Sequence, residues 1–77
     1  MPKGRPQIEI GKRTYEEVQR IFESDAEAKR TLGISSNLLM QDWRCGNAPS
    51  AKYLQRLHYC GADVIYILTG VRKNELS

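Results

Sequence analysis

Asn37, Gln41 and Arg44 recur at intervals of four and three residues, a spacing that sets their side chains along one face of an α-helix. A carboxamide both donates and accepts, so Asn37 and Gln41 can each form paired hydrogen bonds to the N6 and N7 edge of adenine in the major groove of double-stranded DNA. Arg44 carries a planar fork of donors suited to guanine or to a phosphate oxygen. Leu38, beside this polar face, suits a thymine methyl. Ser36 just before the helix, and Lys52 and Tyr53 in the first turn of a later one, are candidates for holding the phosphate backbone. Upstream, Lys3 and Arg5 flank Gly4, a slender cationic stretch able to lie in a narrow A·T-rich minor groove, where the negative potential is strongest. The competing reading of Asn37, Gln41 and Arg44 is an ordinary amphipathic helix whose polar face meets water, and spacing alone leaves both open.

Catalytic chemistry finds no such constellation. Paired carboxylates, a nucleophile beside a base, and a glycine loop able to cradle phosphate are all missing from the pattern, so an enzyme is not expected. Cys45 and Cys60 lie fifteen residues apart with no further cysteine. They are read as reduced thiols rather than as ligands of a metal, and no cofactor is expected. His58 has no acidic or cysteine partner at ligand spacing and is read as structural. No apolar run approaches the ~18 residues of a membrane span, and no apolar stretch marks a secretory signal, so a cytoplasmic protein without a membrane partner is expected. The net charge of +3 is modest, but residues 1–13 carry Lys3, Arg5, Lys12 and Arg13 against Glu9 alone, whereas residues 14–77 hold eight basic and eight acidic side chains. The excess therefore sits at one end, where it favours a polyanionic partner.

The elements that must position these residues follow from caps and breakers. A chain of 77 residues supports one core. Pro2, Gly4, Pro6 and Gly11 predict an extended arm over residues 1–13, with a very short strand permitted at Ile8 and Ile10. Thr14 and Glu17 read as a capping box opening a first helix at about residues 15–23, with Tyr15, Val18 and Phe22 on one face. Ser24 and Glu27 read as a second, followed by Ala28, Leu32 and the stop at Gly33. A third helix starts after Ser35 or Ser36 and ends near Arg44, with Leu39, Met40 and Trp43 on its inner face. Ser50 caps a fourth, with Leu54 and Leu57 inward and Gly61 as terminator, and Asp63 caps a fifth that Gly70 stops. Residues 72–77 read as a frayed tail. The fold class is all-α, a compact bundle of four to five helices with an extended N-terminal arm. The short turn at Gly33-Ile34-Ser35 makes the second and third helices cross steeply, which leaves the third projecting.

Leu32-Gly33-Ile34-Ser35 at that turn, Trp43 with Gly46, Pro49 and Ser50 after the third helix, and the closing Gly61-Ala62-Asp63-Val64-Ile65-Tyr66-Ile67-Leu68-Thr69-Gly70 together give a family likeness. Over residues 15–71 the chain resembles the helix-turn-helix domains of phage repressors of the CI and Cro type, the lambda-repressor-like or XRE family. That resemblance implies transcriptional repression, dimers and palindromic operators. Lys29 departs from it, because the family usually has alanine at this point of the second helix.

The fifth helix is apolar on all sides, through Val64, Ile65, Tyr66, Ile67 and Leu68. A terminal helix buries only one side in its own core, so a homodimer through Ile65, Tyr66 and Leu68 is expected, with two reading helices about 34 Å apart. In the opposing reading the arm covers Ile65 and Tyr66 in a monomer. The expected function is a sequence-specific double-stranded DNA-binding transcriptional regulator, a phage- or prophage-type repressor. The alternative is a helical protein-interaction module, antitoxin- or anti-repressor-like, without direct DNA binding.

Overall fold

Five helices follow one another: α1 (Pro6–Ile21), α2 (Asp25–Leu32), α3 (Asn37–Cys45), α4 (Ala51–Tyr59) and α5 (Val64–Thr69). The computed structural model describes residues 6–72, with side chains from residue 10 on. No strand occurs among the described residues, and the all-α bundle expected from the caps is present. Ser24 caps α2, its hydroxyl accepting from Glu27 N at 3.1 Å while the Glu27 carboxylate accepts from Glu23 N at 2.8 Å. Asp63 caps α5 by accepting from Tyr66 N at 2.9 Å. Ser50 stands at the start of α4 without a side-chain cap bond.

The arm is where structure and sequence part. Residues 6–13 are helical, not extended, so the expected boundary at residue 13 is corrected and the stretch around Ile8 and Ile10 is no strand. Lys3 and Arg5, with the tail after Arg72, lie outside the described residues. Pro6 opens α1, a place where proline is favoured because the first-turn N–H has no helical acceptor and φ is already set. Gly11 is buried, and a Cβ built on it would stand 2.3 Å from Gly46 C and 2.4 Å from Asn47 O. The backbone of α1 therefore rests directly on the residues that end α3. Glycine's cost within a helix, about 1 kcal/mol, is offset by a close approach that no side chain permits.

Because α1 has already run about two turns by Thr14, the Thr14 and Glu17 pair does not cap it. Both side chains are fully buried. The Thr14 hydroxyl donates to Ile10 O at 2.7 Å, within the helix. The Glu17 carboxylate accepts from Arg20 Nη2 at 2.7 Å and from Asp63 N at 2.8 Å, and it pairs with Arg72 Nη2 at 2.9 Å. One acidic side chain thus ties α1 to the start of α5 and to the chain beyond it.

Each helix contributes to one core: Val18 from α1, Ala28 and Leu32 from α2, Met40 and Trp43 from α3, Leu57 from α4 and Ile67 from α5. Leu39 and Leu54, expected inward, are partly buried against it.

Burial alone would raise the Glu17 pKa, but hydrogen bonds from Arg20, the Asp63 N–H and Arg72, with the attraction of Arg20, carry it from 4.5 down to about 2. Between those values the unfolded chain binds a proton that the folded chain refuses, so acid favours unfolding. This contribution is complete above the ordinary value and is lost as the pH falls to about 2. Glu17→Gln should therefore cost about 2–3 kcal/mol in urea melts at neutral pH, and the gap from the parent should narrow with acidification; a gap independent of pH would refute the clamp. Gly11→Ala, which in an ordinary helix interior stabilises, should here destabilise by about 1–3 kcal/mol in the same melts.

Candidate nucleic-acid interface

The orientation of α3 is fixed from its inner side. Trp43 is fully enclosed and meets the Tyr53 ring edge-on at 5.8 Å, and Met40 is buried beside it. Ser36 caps the helix, accepting from Leu38 N at 3.1 Å, and the hydroxyl proton expected on phosphate is still available to donate. With Trp43 inward, Asn37, Leu38, Gln41 and Arg44 are all exposed, as the spacing predicts. Leu38 is 68% exposed.

At 100° per residue, Leu38, Gln41 and Cys45 form the ridge farthest from Trp43, with Asn37 and Arg44 on one flank and Asp42 on the other. Cys45 is exposed on that ridge. Sequence reasoning left it out of the reading face, although its place four residues after Gln41 was the signal for including it.

Two predicted contacts are already engaged inside the protein. Lys29 of α2 donates from Nζ to Asn37 Oδ1, whereas Gln41 makes no side-chain bond with the described residues. Arg44 lies with its guanidinium carbon 5.5 Å from the centre of the Tyr15 ring. Burial, then the hydrogen bond to Asp25 at 2.9 Å, raises the Tyr15 pKa and keeps its phenol a donor. Arg44 is thus held against α1 at the edge of the exposed face, which suits a backbone contact better than a base contact.

A second cationic group gathers on α4. Tyr53 is half-buried against Trp43, with Lys52 Nζ at 5.0 Å and Arg56 Cζ at 5.3 Å from its ring centre. Arg56 Nη1 also donates to Leu32 O at 2.6 Å, closing the C-terminal end of α2. Gly33, at φ +74°, makes room for it, since a Cβ there would stand 2.9 Å from Arg56 Nη1. The sequence reading named Lys52 and Tyr53 as phosphate candidates and did not name Arg56, one helical turn after Lys52.

On α5, Ile65 and Leu68 are 50% and 45% exposed. Tyr66, the third residue expected at an interface between copies, is half-buried: its hydroxyl donates to Glu16 at 2.6 Å, and Arg72 lies 3.8 Å over its ring. The hydrogen bond to Glu16, then burial, raises its pKa. It is α1, as a helix, that packs on α5. His58 is exposed beside the Tyr59 ring.

Among the described residues no cluster of three histidine, cysteine or acidic side chains could hold a metal, and no helix is long and apolar enough to cross a membrane. Comparison with family models, with characterised proteins and with solved structures finds no match for this chain. The geometry of α3 and its surroundings is what any functional reading must use.

Proposed function

We propose that this chain binds double-stranded DNA in a sequence-specific manner and regulates transcription in the way of a small phage-type repressor, with α3 entering the major groove. The observation that carries the reading is the exposed face of α3, where two carboxamides, a leucine and an arginine lie opposite a fully buried tryptophan. An α-helix with its side chains is about 10–12 Å across, which a major groove about 12 Å wide admits. Gln41 and Leu38 meet base edges, while Arg44, Lys52 and Arg56 hold phosphates on either side. Lys3 and Arg5 continue the contact into an A·T-rich minor groove. A second copy, related by two-fold symmetry through Ile65 and Leu68, reads the other half of a palindromic operator.

The exposed Leu38 favours a second reading, in which the same ridge receives a protein partner and no DNA is bound. Cysteine chemistry separates the two. Operator DNA should protect Cys45 from alkylation by iodoacetamide and leave Cys60, at the far end of α4, as reactive as before; equal reactivity of Cys45 with and without bound duplex would reject α3 as the reader. Gln41→Ala should weaken binding to a selected duplex by about 1–3 kcal/mol and leave random duplex nearly unaffected. Arg44→Ala should weaken both together, as read by fluorescence anisotropy.

A further inference from the structure

We infer that Lys29 decides which base Asn37 reads, converting a carboxamide suited to adenine into half of a guanine-reading pair; the inference rests on the DNA reading above. An ammonium group has donors only. Whichever way the Asn37 amide is drawn, the atom it turns to Lys29 must be its oxygen, as in the bond from Lys29 Nζ to Asn37 Oδ1. The NH2 of Asn37 is left facing outward.

The consequence lies in the pattern of the base edges. Adenine presents an acceptor at N7 and a donor at N6, and asparagine reads it by donating to the first and accepting from the second. With Lys29 seated on Oδ1, the adenine amino group would approach an ammonium, donor against donor. Guanine presents acceptors at both N7 and O6. The outward NH2 of Asn37 and a remaining ammonium hydrogen of Lys29 satisfy both.

The placement supports such a role. Asn37 is the first residue of α3, at the end from which reading helices reach base edges. The Ser36 cap fixes that end. Lys29 is half-buried on α2, so its stem is held while its head reaches the start of α3. Gln41, one turn further along, has no such partner and keeps an amide free for adenine. Lys29 is thus a positioning residue that also completes the donor pair.

Selection of bound duplexes from a random pool tests this, using the full chain and the variants Asn37→Ala, Lys29→Met and Lys29→Arg, each checked for folding by thermal melting. Asn37→Ala should make one base position indifferent. The parent should require guanine there, Lys29→Met should prefer adenine by about five- to hundredfold, and Lys29→Arg, with donors only, should keep guanine. Lys29→Ala replaces the methionine variant should that one fail to fold. Adenine already chosen by the parent, or guanine still chosen without Lys29, overturns the inference. So does an Asn37→Ala loss that is equal on every sequence, which would assign the pair to phosphate. If the parent binds no duplex at all, the DNA reading itself falls and this inference with it, a result distinct from binding with the wrong base preference.

Discussion

A carboxylate removed from water is tolerated only where donors surround it, because a buried charge without partners costs several kcal/mol. Glu17 meets that condition through Arg20, Arg72 and the Asp63 N–H. Those partners come from three places along the chain, so satisfying one side chain settles how α1, α5 and the segment beyond α5 meet. Arg13 adds a second tie, donating to Ile67 O at 2.9 Å near the end of α5. With α5 held by its start and its end, α1 becomes the beam against which the remaining helices are set.

The opposite side of that beam sets α3. Contact through Gly11 brings the α1 backbone onto Gly46 and Asn47, and Trp43 fills the space between α3 and α4. Among the described residues the Trp43 indole nitrogen is a buried side-chain polar atom without a hydrogen-bond partner. An unmade bond of that kind costs about 1–3 kcal/mol, a cost that burying so large a ring offsets. The tryptophan thus holds α3 by shape, and the polar groups of the helix are left to face outward. A helix anchored in this way can change its outer residues with little effect on the fold.

Helices α2, α3 and α5 were legible because each carries its own capped start within a few residues: Ser24 with Glu27, Ser36 before Asn37, Asp63 before Val64. Local signals sufficed there. The first helix was misread because its signals are tertiary. Gly11 looks like a helix breaker until the backbone that rests on it is known, and Thr14 with Glu17 looks like a capping box until Asp63 and Arg72 arrive from the other end of the chain. The exposed face of α3 was legible from spacing, since angular sorting needs only the helix. Its partner Lys29 was not, because it comes from a neighbouring helix whose approach no periodicity encodes.

The surface of α5 bears on how two copies would meet. Five apolar residues in a row suggest a broad sticky helix, but Ile67 is fully buried and Tyr66 is occupied by Glu16 and Arg72. Two half-exposed aliphatic side chains, Ile65 and Leu68, are what α5 offers. A stable interface buries about 800 Å² on each partner, far more than those two side chains contribute, so α5 by itself does not make an obligate dimer. If the chain binds DNA as proposed, a weak contact of this size would suit assembly on an operator, where each copy would be held by its own half-site. The second would then bind at high effective concentration. On the DNA reading proposed above, so modest a patch would support cooperative filling of two half-sites rather than a permanent pair.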